Sequence, residues 1–224
     1  MEIHPIARIH TDFKEKFGIP RQSGLVEALR ASIIFDPPYR VADAVRGLED
    51  FTHIWLLWEF SQARRETWSP TVRPPRLGGN KRLGVFATRS PFRPNALGLS
   101  AVRLEAVEPD GPRGPVLHVS GADLLDGTPI YDIKPYLPYA DAIPGASGGF
   151  TGHVERKCLE VRCPPALLEK VPADKREALL AVLAQDPRPS YQSDPQRVYG
   201  MAFAELQVRF TVEEGTLAVK EIHT

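Results

Sequence analysis

Apolar and polar residues alternate with a period of two through most of the first two-thirds of the chain, and Pro- and Gly-bearing turns cut each run short before it reaches helical length. That pattern predicts strands over residues 3–9, 31–35, 53–60, 84–88, 97–107 and 116–124. Turn residues stand between them, among them Asp36-Pro37-Pro38, Arg73-Pro74-Pro75, Pro109-Asp110-Gly111 and Asp126-Gly127. The one helix expected in this region is short, around residues 41–46. Parallel strands need crossover connections, usually helical, and nothing here supplies them. The expected fold is therefore mainly β: an antiparallel barrel or sandwich, not a doubly wound sheet.

The alternation stops near Tyr139, where residues 139–152 turn rich in Gly, Ala, Ser and Pro and read as a linker or lid. Beyond it, residues 173–184 carry Ala178, Leu179, Val182 and Leu183 on one helical face. Pro172 precedes them and Gln185-Asp186-Pro187 follows, which bounds an amphipathic helix. Residues 198–212 and 217–222, separated by Glu213-Glu214-Gly215, read as a hairpin. The division expected is a first domain over residues 1–142 and a small C-terminal α+β domain over 153–224.

Several classes are set aside. The longest apolar run, Ile54-Trp55-Leu56-Leu57-Trp58, is far short of the roughly 20 residues a membrane helix requires. The first residues, Met1-Glu2-Ile3-His4-Pro5, have neither a basic n-region nor an apolar h-region, so no signal peptide is expected. Cys158 and Cys163 cannot make a disulfide framework, and a cytoplasmic location is the default expectation. Their spacing would put the two thiols on opposite faces of a strand, and the six His show no zinc spacing, so no metal is expected. Neither a P-loop nor a Gly-x-Gly-x-x-Gly turn occurs, and no nucleophile elbow is expected.

The formal net charge is zero, with 28 basic and 28 acidic side chains, which at first argues against a nucleic-acid partner. The distribution reverses that argument. From Gln62 to Arg103 nine basic residues (Arg64, Arg65, Arg73, Arg76, Lys81, Arg82, Arg89, Arg93 and Arg103) face one acid, Glu66, so this stretch carries +8 and the remainder −8. All but one of the nine are Arg, whose planar fork pairs bidentately with phosphate and stacks on bases. A polyanionic or phosphorylated ligand fits such a segment.

Within it, Gly78-Gly79-Asn80 permits close backbone approach and exposes N–H groups that could hold an anion, or simply form a turn. A second dense motif runs from Asp123 to Tyr136. Here Asp126, Thr128 and Asp132 can offer acceptors and a hydroxyl to a ligand, while Asp123, Asp126, Asp132 and Lys134 could equally form a structural ion network.

These motifs resemble a known family. Phe17-Gly-Ile-Pro-Arg-Gln22, Gly47-Leu-Glu-Asp-Phe-Thr-His-Ile-Trp-Leu-Leu57, the segment 73–99 and the segment 123–136 are similar to the successive signatures of the TsaA-like family, the TrmO-type tRNA methyltransferases. Ala184-Gln-Asp-Pro-Arg-Pro-Ser-Tyr191 and Val198-Tyr-Gly200 resemble the C-terminal region of its bacterial members. The resemblance implies a six-stranded antiparallel barrel that binds S-adenosylmethionine outside the Rossmann framework and acts as a homodimer. It implies N6-methylation of N6-threonylcarbamoyladenosine at tRNA position 37, beside the anticodon.

Carried over by motif, the methyl-donor site comprises Pro20, Arg21, Gln22, Ser61, Gln62, Arg89, Leu99 and the turn Asp126-Gly127-Thr128-Pro129. Family members often have His where this chain has Ser61. The attacking nitrogen is conjugated to a carbonyl and must lose its proton, for which Asp126 or Asp132 is the expected acceptor. Arg73, Arg76, Lys81, Arg82 and Arg93 are expected to meet the anticodon arm and the threonyl carboxylate, with Phe92, Tyr136 or Tyr139 as stacking surfaces. Two other readings of the residues remain at this stage: a non-catalytic RNA-binding barrel, and a methyltransferase of another substrate.

Overall fold

The computed structural model describes residues 2–63, 67–74, 77, 81–153, 158–189, 192 and 194–224. Its first part is a closed barrel of six strands, all antiparallel. In spatial order they are β1 (Ala7–His10), β2 (Arg30–Phe35), β7 (Gly114–Ser120), β6 (Leu97–Gly111), β3 (His53–Glu59) and β8 (Thr128–Pro135), which pairs back to β1. Alternation places Ile9, Ile33, Ile54, Leu56, Val102, Leu117, Val119 and Ile130 inside, all nearly inaccessible, so the interior is a packed core. Closure leaves this sheet no free edge.

The barrel agrees with the predicted class, but its strands are not all the predicted ones. Residues 84–88 are not a barrel strand. Leu83–Gly84 (β5) pairs only with Thr71–Val72 (β4) as a two-stranded ribbon, and Val85–Ala87 is a 3₁₀ turn. The sixth barrel strand is β8, where Tyr131, an extra residue at a slip in the pairing with β3, disguises the alternation. The turn expected at Pro109-Asp110-Gly111 lies inside β6, which runs to Gly111 and reverses through Pro112 and Arg113. The helix expected around residues 41–46 is a 3₁₀ turn, Ala42–Val45.

The remaining chain builds a four-stranded sheet ordered β10 (Tyr199–Phe203), β11 (Leu206–Glu213), β12 (Thr216–His223) and β9 (Glu160–Arg162). Where one hairpin was expected there are three antiparallel strands, because Ala204 adopts φ 53° and turns the chain at mid-segment. The second turn falls at Glu214-Gly215 as predicted, with both residues left-handed. Helix α3 (Arg176–Ala184) buries Ala178, Leu179, Val182 and Leu183 against this sheet. Earlier, α1 (Pro138–Asp141) and α2 (Pro165–Leu168) are single turns.

One connection between two barrel strands packs into the C-terminal core and belongs to neither sheet. The connection between β1 and β2, residues 11–29, sends Phe13, Val26 and Leu29 into the C-terminal core, with Phe17, Ile19 and Ala28 packed on it. Phe13 meets Phe203 edge to face with centroids 5.7 Å apart, Lys175 pairs with Asp12 at 2.6 Å, and the Ala204 N–H donates to the Asp12 carbonyl at 2.7 Å.

Candidate functional site

A cavity of about 630 Å³ opens where that connection meets one end of the barrel. Its walls come from distant parts of the chain: Lys16 and Ile19 to Gln22 from the β1–β2 connection, Leu57 to Ala63 from the end of β3, and Thr88, Arg89 and Pro91 to Arg93 beyond the 3₁₀ turn. Leu97 to Ser100 of β6, with Asp123, Leu125 and Thr128, complete them. Lys16 Nζ donates to the Gln62 carbonyl at 2.8 Å and so ties the first wall to the second. Arg89 donates to Gln22 Oε1, joining the first wall to the third.

The barrel end is shaped by one glycine. Gly98 lies opposite Trp58 across the β3–β6 pair, and a Cβ there would come within 2.3 Å of the indole. With no side chain at Gly98, the indole lies flat over the strand beside Phe60, centroids 4.2 Å apart. Its Nε1–H donates to Ser100 Oγ at 3.0 Å, and the Ser100 hydroxyl donates to Asp123 Oδ1 at 2.7 Å. The Ser23 backbone N–H also serves the Asp123 carboxylate. Burial pushes the Asp123 carboxyl above the usual carboxylate range, against the opposing pull of Ser100, the backbone donors and the nearby Arg89 charge. Glu59, buried on the same rim, accepts from the Tyr131 hydroxyl where β3 and β8 slip register between Leu57 and Trp58.

Eight of the expected donor residues are brought together in these walls: Pro20, Arg21, Gln22, Ser61, Gln62, Arg89, Leu99 and Thr128. Asp126, Gly127 and Pro129 do not line the cavity. Asp126 faces a separate groove, where it binds Lys14 at 2.9 Å and His10 at 3.3 Å and accepts the Thr11 N–H at 3.1 Å. Burial alone would raise its carboxyl, but Lys14, Thr11 and His10 hold it below the ordinary range. Asp132 also lies outside the cavity lining, 2.9 Å from Lys134 and accepting the Ile133 N–H. The Asp132–Lys134 pair is the part of the ion-network alternative found here, whereas Asp126 takes its partners, Lys14 and His10, from outside that set.

Of the residues expected to meet RNA, Arg93 and Phe92 line the cavity. Arg93 also clamps the 3₁₀ turn, donating to the Thr88 carbonyl at 2.7 Å and the Val85 carbonyl at 3.2 Å. Arg73, Lys81 and Arg82 are exposed and have no acidic partner among the described residues. Tyr136 sits at the far end of β8, against Trp55 and His53, and Tyr139 is exposed nearby. Arg76, the Gly78-Gly79-Asn80 turn, Arg64, Arg65, Glu66, Ser190 and Tyr191 lie outside the described residues.

Sequence reasoning overlooked Lys16, Trp58, Gly98, Ser100 and Asp123 as a unit. The signal for Asp123 was its place in an otherwise apolar stretch, Ala122 to Leu125, at the end of a strand. A Gly-x-Ser-x-Gly spacing does occur, Gly145-Ala-Ser-Gly-Gly149, contrary to the expectation. It lies in an exposed connection without the strand-to-helix turn that presents a nucleophile. Among the described residues no three His, Cys, Asp or Glu gather as a metal site, and no helix is long and apolar enough to cross a membrane.

A closed antiparallel barrel, with a largely apolar cavity at one end ringed by a few Arg, Gln and Asp groups, defines a barrel-type small-ligand site beside a basic surface. Residues 8–142 match the family model described as tRNA-methyltransferase O N-terminal domain, and residues 150–224 match the TrmO C-terminal domain. The chain belongs to the TrmO family. It is 42% identical to the tRNA (adenine(37)-N6)-methyltransferase of Escherichia coli K12 over 97% of this chain and 96% of that protein. The Eikenella corrodens protein of the same name is 49% identical over 77% of this chain and 97% of its own. A crystal structure of TrmO from Pseudomonas aeruginosa, 36% identical, superposes with a TM-score of 0.80 over 100% of this chain and 99% of the other.

Proposed function

We propose that this chain is an S-adenosylmethionine-dependent tRNA methyltransferase that methylates N6 of N6-threonylcarbamoyladenosine at position 37, next to the anticodon. The observation that carries the reading is the joining of three separate sequence motifs into one cavity, with Gln22 bound to Arg89 across it and Lys16 bound to Gln62. At about 630 Å³ the cavity is in the range of small-molecule sites, and its apolar walls with a few polar groups suit the aromatic and charged ends of the donor.

When bound, S-adenosylmethionine supplies a methyl group already activated by a sulfonium charge. The protein's part is positioning and proton transfer. Pro20, Arg21, Gln22, Ser61, Gln62, Arg89, Leu99 and Thr128 bind and orient the donor. Trp58 and Phe60 exclude water from the barrel end. The Asp123 carboxylate takes the proton lost by the attacking nitrogen, and Ser100, backed by the Trp58 N–H, aims it. This reading assigns to Asp123 the role first expected of Asp126 or Asp132, because Asp123 is the one of the three that lines the cavity.

Arg73, Lys81, Arg82 and Arg93 meet the anticodon arm and the threonyl carboxylate. The reading also carries a cytoplasmic location and a homodimer, the latter checked by sedimentation. Mass spectrometry of tRNA nucleosides, before and after incubation with donor, tests the whole. The expected result is one new methyl group on threonylcarbamoyladenosine. Donor bound with that nucleoside unchanged points to another substrate, and no donor affinity at all points to a non-catalytic RNA-binding barrel.

A further inference from the structure

Two large aromatic side chains near the cavity are left in solvent. Trp68 is 51% exposed and Phe86 71%, on adjoining ends of the β4–β5 ribbon, with ring centroids 6.1 Å apart and planes inclined by 31°. The Arg93 guanidinium lies over the Phe86 ring, 5.7 Å from its centroid, and the same Arg93 lines the cavity. The aromatic pair is therefore one residue from the cavity rim, with Phe86 on the turn that Arg93 holds in shape.

The surroundings identify what such a pair would meet. Between Thr67 and Arg103 the chain has seven basic residues and no acid. Exposed Arg73, Lys81, Arg82 and Arg89 belong to that stretch, and the first three have no acidic partner among the described residues. Exposed ring faces set among cations that have no acidic partner among the described residues match the chemistry of unpaired nucleic-acid bases, which stack on aromatic faces while their phosphates meet Arg and Lys. A second copy docking through this patch would bring two strongly positive segments together, since a two-fold interface pairs each surface with itself.

We propose that Trp68 and Phe86, supported by Arg93, form the stacking platform on which unpaired bases of the tRNA loop rest while the target nucleotide enters the cavity. This rests on the tRNA reading above and assigns it a surface that neither the motifs nor the basic count identified.

The test uses the full chain with Trp68→Ala, Phe86→Ala, the double variant and Trp68→Phe. Substrate tRNA binding is measured across a salt series, donor binding by calorimetry, and mass by sedimentation. Stacking is lost without loss of phosphate contacts, so the double variant should bind tRNA about 10- to 100-fold more weakly, with an unchanged salt slope. Donor affinity and mass should match wild type, and Trp68→Phe should recover most of the binding. Unchanged tRNA affinity in the double variant overturns the platform. So does a flattened salt slope, which would mean phosphate contact, or a fall in mass, which would make a second copy the occupant. A wild-type protein that binds tRNA yet transfers no methyl overturns the enzyme reading instead, and weakened binding by the double variant would still establish the platform.

Discussion

Gly18 lies directly beneath the thioether of Met201: a Cβ on Gly18 would stand 2.4 Å from Met201 Sδ, and the glycine's φ of 96° is one that side chains disfavour. This contact seats the β1–β2 connection on the C-terminal sheet, two residues before Pro20, Arg21 and Gln22 enter the cavity wall. Arg21 adds a second tie by donating to the Arg188 carbonyl at 3.2 Å. The C-terminal unit thus holds one wall of the cavity in place.

Gly18→Ala should accordingly cost about 1–3 kcal/mol of stability, from backbone strain and the displaced Met201. Donor affinity should fall with it, read by thermal denaturation and by calorimetry on the same samples. Full donor affinity in a destabilised variant would show that the wall does not depend on this seat.

Gly98→Ala acts from the opposite wall. The new methyl would run into the Trp58 ring atoms 2.3 to 2.7 Å away and push the indole off Ser100. The expected loss is about 1–3 kcal/mol of stability, together with weakened donor binding in calorimetry. Trp58→Phe keeps the packing but removes the N–H, so it should spare donor binding while lowering turnover.

Asp123→Asn should lower turnover at saturating donor by about 10²- to 10⁴-fold with a smaller effect on donor affinity. In the wild type the base must be ionised, and burial raises its carboxyl above the ordinary range. The rate should therefore rise with pH along a limb displaced upward from ordinary carboxylate titration. Ser100 stabilises the ionised form, so Ser100→Ala should move that limb to still higher pH. A pH profile identical in wild type and Ser100→Ala would remove Asp123 as the group being titrated.

Asp126 behaves oppositely. Despite partial burial, Lys14 and the Thr11 N–H hold its carboxyl below the ordinary range. A lowered folded-state pKa gives stability that is present above the unfolded value and is lost as pH falls through the folded one. Asp126→Asn should cost about 1 kcal/mol near neutrality, with the difference closing in acid. A turnover loss matching that of Asp123→Asn would return the proton-accepting role to Asp126.

Arg73→Ala, Lys81→Ala and Arg82→Ala should each reduce the slope of log binding constant against log salt by about 0.7 to 0.9 for tRNA, and leave donor affinity alone. Unaltered slopes for all three would place the phosphates elsewhere on the surface.

Local pattern carried the barrel because burial on one face of a half-exposed strand writes a period of two into the chain, as in β2, β3 and β6. It failed at β8 because the pairing with β3 slips between Leu57 and Trp58 and leaves Tyr131 as an extra residue, so the inward positions move from Thr128 and Ile130 to Ile133 and the period of two is broken. It failed at residues 84–88 because an apolar run beside a turn suits a 3₁₀ segment as well as a strand, and the Arg93 clamp that selects the turn comes from five residues beyond it.

Alternation alone was enough for a mainly β, antiparallel fold, the family motifs narrowed it to a barrel and supplied the cavity walls, and a residue count exposed the positive segment hidden in a neutral total. Which carboxylate lines the cavity was settled by folding. Asp123 and Asp126 are three residues apart and chemically identical, yet one lines the cavity and accepts from Ser100 while the other turns outward to Lys14. Burial and partner charge set the proton affinity of a carboxylate, and both depend on chain segments about a hundred residues away in the case of Lys14. The same holds for the cavity wall at residues 18–22, whose shape is held by Met201 and Arg188 from the other end of the chain.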